Sequence, residues 1–295
     1  MTRSDPERMV PCRLQKRVAE CLSLSLPVVE EHWRAGRIQV INPESDYPQQ
    51  LALDALVFDD DHLLFDGALI EATTARSYVL LNKPKGVTST AHDPDGRTDL
   101  APFLRQMPAG CFPVGRLDRE TSGLLLCTTD GNLAHAVLRP DHEATKTYWL
   151  WLDEVVDASD ARLVQLVQGV PHNGQLLAAK AVRILARSEY ATELELTLTE
   201  GKKRQIRHMC RVLQLQLVHL HRSRIGPLSD SGLALGSFRL LTSQEVEALW
   251  SATGGRARVR QRRVAALVRM ARASREAGTP LSRLEVWLSG ESEQG

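Results

Sequence analysis

No run of apolar residues in this 295-residue chain approaches the roughly 18–20 that a membrane span requires. The opening residues, Met1 to Val10, are polar and lack the apolar core of a secretion signal. Cysteine is scarce: there are 5, an odd number, with no Cys-x-x-Cys pair. That pattern excludes a disulfide framework and fits free thiols in a reducing compartment, so a cytoplasmic protein is expected. His208 and Cys210 precede His219 and His221, but the spacing fits no standard zinc finger, and no metal is expected. A P-loop and a dinucleotide fingerprint are also missing, so no cofactor is expected. There is no internal repeat. The net charge of +1 gives no bulk signal for a nucleic-acid partner.

The distribution of charge is more informative than its sum. From Arg256 to Arg283 there are nine arginines and one acid, Glu276, which gives this segment +8 and leaves −7 for the remainder. A basic C-terminal arm on a mildly acidic body suggests a polyanion partner. A solvated tail without a specific partner has the same composition.

The length suggests about two domains, and the chain divides into blocks. Residues 1–11 are expected to be a disordered N-terminus. From 12 to about 70, Leu14, Val18, Cys21 and Leu22 share one helical face, and Val28, Val29, His32 and Trp33 repeat the pattern after Pro27. Gly36 suits a helix end before a strand "RIQVI". From 76 to 250 strands dominate. "YVLLNKP", "SGLLLCTT" and "KTYWLWLDEV" read as extended, with Tyr148, Leu150 and Leu152 on one face. Asn173-Gly174 marks a hairpin, and "TELELTLTE" alternates with Leu194, Leu196 and Leu198 inward. Asp130-Gly131 starts a helix, and "RQIRHMCRVL" is another. Many strands with few crossover helices predict an α+β fold with a mixed, mainly antiparallel sheet. Residues 251–295 form the basic arm, with a helix through Val264, Leu267, Val268 and Ala271 and disorder expected from Gly290 to Gly295.

Three segments carry unusual chemistry. In "GRLDRE" a lone carboxylate, Asp118, lies between Arg116 and Arg119 just before an apolar strand. Arginine neighbours keep an aspartate ionised. An ionised aspartate in a cleft can act as a nucleophile or stabilise a cationic sugar carbon. A salt bridge that pins a loop is the structural alternative. A glycosidase needs a second carboxylate, and none stands out. Tyr148 opens the second segment. The third, "EGKKRQIRHM", places Lys202, Lys203, Arg204 and Arg207 around a helix start, where backbone N–H groups and side chains together attract phosphate.

"LNKPKGVTST", "FPVGRLDRETSGLLLCTTDGNLAH", "KTYWLW" and "EGKKRQIRHMCRVL" resemble, in order, the successive motifs of the RsuA/RluB/RluE/RluF family of RNA pseudouridine synthases. "RSRIGPLSDSGLALGSFRLLTSQEVEALW" resembles that family's closing segment, and the first block resembles its S4 RNA-binding domain. The RluF type is the nearest subtype. The resemblance implies a small S4-like domain followed by a catalytic domain with a central cleft, acting without cofactor or metal. It implies that Asp118 is the nucleophile, that Tyr148 packs on a flipped uracil, and that Arg207 pairs with the carboxylate. Arg116 then helps open the RNA, while Arg34, Arg37, Lys202, Lys203 and Arg204 contact phosphate. His208 departs from the motif and is expected to affect RNA contact. The implied substrate is structured RNA, most of all large-subunit (23S) ribosomal RNA, with small-subunit RNA or transfer RNA as alternatives. A non-catalytic RNA-binding or ribosome-assembly factor is the competing class. A monomer without membrane contact is expected.

Overall fold

The computed structural model describes residues 10–42, 47–58, 60–70, 76–139, 144–278 and 281–292. The chain forms two compact units: residues 76–254 make one, and residues 1–75 combine with 255–295 to make the other.

The terminal unit starts with β1 (Cys12–Arg13), α1 (Leu14–Leu22), α2 (Leu26–Arg34), β2 (Ile38–Ile41), β3 (Leu56–Val57), β4 (His62–Phe65) and β5 (Ala68–Leu69). Leu14, Val18 and Cys21 recur at helical spacing and form the buried stripe of α1. Pro27 stands in the first turn of α2, where its missing N–H costs nothing. Gly36, at φ +72°, turns the chain from α2 into β2. β2, β4 and β5 form a three-stranded antiparallel sheet, while β1 pairs with β3. Leu14, Val18, Val29, Ile38, Val40 and Val57 close the core between helices and sheet.

The unit from 76 to 254 contains β6 (Tyr78–Lys83), α3 (Ala101–Leu104), β7 (Phe112–Pro113), β8 (Ser122–Thr128), α4 (Gly131–Leu138), β9 (Lys146–Leu152), α5 (Ala161–Gln168), β10 (Val170–His172), β11 (Gln175–Leu177), β12 (Ala181–Arg187), β13 (Thr192–Leu198), α6 (Gln205–Val212), β14 (Leu217–Ile225), β15 (Leu228–Ser229), β16 (Phe238–Leu240) and α7 (Ser243–Ala252). Its main sheet runs β12-β13-β9-β14-β8-β6-β16, with β7 on β8 and β15 on β14. Every pairing is antiparallel except β8 with β14, which lie parallel at the centre. The fold is therefore α+β with a mixed sheet, as the sequence suggests. The alternation in β13 buries Leu194, Leu196 and Leu198. The Asn173-Gly174 turn, with both residues at positive φ, joins β10 to β11. Asp130 caps α4 by accepting from the N–H groups of Asn132 and Leu133.

The C-terminal segment returns to the terminal unit as α8 (Gly255–Glu276) and α9 (Ser282–Ser292). The helix expected through Val264, Leu267, Val268 and Ala271 is present in α8, and the basic segment is also packed. Leu267 and Ala271 of α8 and Leu284 and Trp287 of α9 form one buried cluster with Val10 and Phe58. The Arg263 guanidinium donates to the Val10 carbonyl at 3.1 Å. Arg283 pairs with Asp60 at 2.8 Å and Asp61 at 2.9 Å, with its guanidinium carbon 4.5 Å from the Phe58 ring centre. Burial of Val10 corrects the N-terminal disorder expected through residue 11, while residues 1–9 lie outside the described residues. The disorder expected from Gly290 is likewise overturned as far as Ser292, where α9 ends, and residues 293–295 lie outside the described residues.

Candidate active site

Asp118 lies in the loop between β7 and β8, and this loop is held at several points. Gly115 has φ +75°, and a Cβ there would meet Leu138 at 2.7 Å. Leu117 is buried, and its backbone is bracketed by one hydroxyl. The Leu117 N–H donates to Ser89 Oγ at 3.0 Å, and the Ser89 O–H donates to the Leu117 carbonyl at 2.8 Å. The Thr121 N–H closes a turn on the Asp118 carbonyl at 2.9 Å, and the Gly86 N–H donates to the Arg119 carbonyl at 2.8 Å. A carboxylate on such a loop is presented in one place rather than swept through many.

The cation that meets Asp118 is neither of its sequence neighbours. Arg119 pairs with Glu120 at 3.3 Å, and Arg116 is exposed. Arg207 of α6 brings its Nε to 3.9 Å from Asp118 Oδ2, with side-chain exposures of 18% and 27%. That distance is an ion pair, too long for a hydrogen bond. Arg207 is fixed by Nη2, which donates to the Glu120 carbonyl at 2.8 Å and to Thr121 Oγ1 at 3.3 Å. Its buried Nε has no hydrogen-bond partner among the described residues. A donor is thus held in reserve beside the carboxylate. Burial, and then Arg204, pull the Arg207 pKa down, while Asp118 and Glu120 act the other way.

Tyr148 lies in β9 and is buried in the same cluster as Leu117, Ile206 and Met209. Leu117 precedes the carboxylate, and Ile206 and Met209 flank Arg207, so one core positions all three candidate groups. Glu120, the neighbouring acid, is tied to Lys85 at 3.6 Å as well as to Arg119. The site therefore offers one carboxylate opposed by arginine, without the free acid–base pair of a glycosidase.

Three contributors escape a reading of the sequence. Lys83 ends β6 fully buried, donating to the carbonyls of Pro84 at 2.9 Å and Val87 at 2.8 Å. Burial, and then Arg222, hold its pKa down at about 8, with Glu120 and Asp118 opposing. Arg222 of β14 is buried opposite Tyr148 and donates through Nε to the Leu124 carbonyl at 2.7 Å. Gly123 is the third. A Cβ there would lie 2.3 Å from the Arg222 carbonyl oxygen, so only glycine admits this approach of β8 to β14. A glycine inside an apolar strand is the signal that could have found it. Lys83 reads only as a strand end, and nothing local marks Arg222.

The expected phosphate contacts divide in two. Lys202, Lys203 and Arg204 are exposed at the start of α6, the helix that carries Arg207. Lys202 also donates to Gln175 Oε1 at 3.0 Å and pairs with Glu200 at 3.3 Å. Arg34 and Arg37 belong to the terminal unit and are spent on carboxylates there. Arg34 pairs with Glu30, and Arg37 donates through Nε to Asp66 at 2.8 Å. His208 is occupied within the protein: its Nε2 is 3.2 Å from the Pro171 carbonyl oxygen, and its ring is 4.2 Å from that of His172. The zinc candidates do not gather. Cys210 is buried with its thiol pKa pushed up to about 12 by desolvation, and His221 is engaged by Ser122 and Asp230. All five cysteines are free thiols, and no helix among the described residues is long and apolar enough to cross a membrane.

Comparison with known proteins places the chain among relatives of known class. Residues 77–211 match the family described as RNA pseudouridylate synthase. Ribosomal large subunit pseudouridine synthase B of Bacillus subtilis (strain 168) is 32% identical over 239 residues, covering 80% of this chain and 95% of that protein. Ribosomal small subunit pseudouridine synthase A of Escherichia coli (strain K12) is 32% identical over 236 residues, covering 79% of this chain and 98% of that one. A solved structure titled as a crystal structure of pseudouridylate synthase superposes with a TM-score of 0.55 at 27% identity, covering 81% of this chain and 99% of that one. The chain therefore belongs to the RNA pseudouridine synthase family, as an isomerase of the type represented by these two ribosomal enzymes.

Proposed function

We propose that this protein converts a specific uridine of structured ribosomal RNA to pseudouridine, with Asp118 as nucleophile. The observation that carries the reading is the Asp118–Arg207 ion pair at 3.9 Å, built on the same core that holds Tyr148. The reaction cleaves the uridine N1–C1′ bond, turns the base and joins C1′ to C5; the C5 proton is lost to a base and N1 takes one up, so product and substrate are isomers. A stacked base cannot be turned, so the uridine leaves its helix and comes to Asp118 at a cost of a few kcal/mol. Tyr148 returns part of that cost by packing on the flipped base. Arg116, exposed two residues before Asp118, is suited to occupy the gap in the RNA. Arg207 keeps the carboxylate aimed until it attacks. Lys202, Lys203 and Arg204 hold phosphate at the start of α6.

We further assign RNA binding to the terminal unit as an S4-like domain. Because Arg34 and Arg37 are paired with Glu30 and Asp66, its phosphate contacts come chiefly from exposed arginines of α8. The two relatives, named for different ribosomal subunits, are equally identical to this chain. They support ribosomal RNA as the substrate class, whether from the large or the small ribosomal subunit.

Pseudouridine mapping by carbodiimide adducts and primer extension tests the reading. Cells would be wild type, deleted for the gene, or deleted and complemented with Asp118→Asn. One ribosomal site should vanish on deletion and stay absent with Asp118→Asn, and its position identifies the target RNA. Persistence of every site in the deletion strain would leave a binding or assembly factor as the better account.

A further inference from the structure

Ser122, the first residue of β8, is 2% exposed and sits inside a hydrogen-bonded chain that the reaction above does not use. Its Oγ lies 2.8 Å from His221 Nδ1 and 3.2 Å from His219 Nε2. His221 Nε2 lies in turn 2.6 Å from Asp230 Oδ2, on the turn after β15. Trp149 stacks on His221 at 5.7 Å, and Trp151 packs on His219 at 4.9 Å between ring centres.

With both histidines neutral, one proton arrangement satisfies every partner. A carboxylate only accepts, so His221 carries its proton on Nε2 and donates to Asp230. Its Nδ1 is then an acceptor, and the Ser122 hydroxyl donates to it. A lone pair on Ser122 Oγ remains to accept from His219 Nε2–H. Serine, histidine and aspartate in this order resemble a hydrolytic triad. Burial of Ser122 at the head of a strand denies it a substrate, so the chain must act on something inside the protein.

What it acts on is the adjoining backbone. Arg207 grips Glu120 and Thr121 from one side through Nη2. His221 and His219 grip Ser122, the next residue. Thr121 also closes the turn on the Asp118 carbonyl. We propose that Asp230, His221 and Ser122 are positioning residues that fix the 120–122 segment and thereby the separation of Arg207 from Asp118. The proposal rests on the reading of Asp118 as nucleophile. None of the three touches the reacting atoms. Their effect falls on the rate of the chemical step and leaves RNA affinity alone.

The test uses the full-length protein and ribosomal RNA purified from the gene-deletion strain, with pseudouridine measured in single turnover. Ser122→Ala and Asp230→Leu should slow the step about 10- to 100-fold, the scale of a misplaced group, with RNA Kd unchanged. Asp230→Asn keeps an oxygen for His221 Nε2–H and should restore most of the rate. Rates near wild type in Ser122→Ala and Asp230→Leu would overturn the proposal. So would equal losses in Asp230→Asn and Asp230→Leu that track thermal stability. A second readout is independent of activity: the Arg207 Nε–H resonance should shift and exchange faster in Ser122→Ala and Asp230→Leu. If wild type forms no pseudouridine, the functional reading fails by itself, and an unmoved Arg207 resonance would then sink the positioning chain separately.

Discussion

The two units reach their cores by opposite routes. Residues 76–254 form an uninterrupted segment whose central strands bury leucine and valine on both sides. The terminal unit is assembled from the two ends of the chain, and its second cluster exists only when α8 and α9 meet Val10 and Phe58. In the first case, strand pattern and turn residues lie next to what they organise. In the second, the stabilising contacts span more than two hundred residues, as the Arg263 bond to Val10 illustrates. The units therefore differ in where a single substitution does its damage. In 76–254 the weak points are close backbone approaches. In the terminal unit they are the few large side chains that join the ends.

Gly123→Ala strikes the first kind of weak point and should have the largest effect. The added Cβ would meet the Arg222 backbone at 2.3 to 2.8 Å, and φ of +109° is strained for any side chain. Overpacking and backbone strain together cost about 3–5 kcal/mol. Urea denaturation followed by tyrosine and tryptophan fluorescence should show the loss, and hydrogen exchange should place it in β8 and β14. Protection of the terminal unit should stay as in wild type, because its core contains none of these residues. A fully stable Gly123→Ala protein would mean that β8 and β14 can separate without penalty.

Trp287→Ala probes the other unit. Trp287 is 1% exposed, and its removal empties the middle of the cluster with Val10, Phe58 and Leu284. Truncating a buried tryptophan costs about 3–5 kcal/mol, at the lower end where the site can collapse. A two-helix cap on a small unit has room to do so, which ranks this effect second. Hydrogen exchange should accelerate at the Leu14 N–H, which donates to the Ala55 carbonyl, and stay unchanged along β6 and β8. Unaltered protection at Leu14 would show that the helices are an accessory rather than part of the unit.

This contrast also explains what could be read from the chain alone. Alternation in β13, the stripe of α1, the Asp130 cap and the Asn173-Gly174 turn are short-range signals, and the structure contains each of them. Asp118 was legible because a lone carboxylate between arginines is odd. Its local explanation was not the structural one, since the ion pair comes from Arg207 in α6. Lys83, Arg222 and the Ser122–His221–Asp230 chain were invisible, because partners brought together by sheet pairing leave no spacing to detect. The C-terminal arginines were only partly legible for a related reason. Composition records charge, but it does not record that Arg263 and Arg283 are spent on Val10, Asp60 and Asp61.

Removing the C-terminal segment would confound lost charge with lost core, so RNA binding by α8 needs a subtler probe. Arg258, Arg269 and Arg272 are exposed. At 100° per residue they project within about 60° of one another, opposite Leu267 and Ala271, along about 21 Å of helix. Replacing the three with glutamine leaves the buried face untouched and should change stability by less than about 0.5 kcal/mol. If these arginines neutralise phosphates, the slope of log K against log salt should flatten by up to about 0.7–0.9 for each phosphate no longer neutralised. Single-turnover chemistry at saturating protein should be unchanged, because Asp118, Tyr148 and Arg207 all belong to the other unit. An unchanged salt slope would leave α8 as a packing element whose charge only keeps it soluble, and RNA affinity would then rest on Lys202, Lys203 and Arg204.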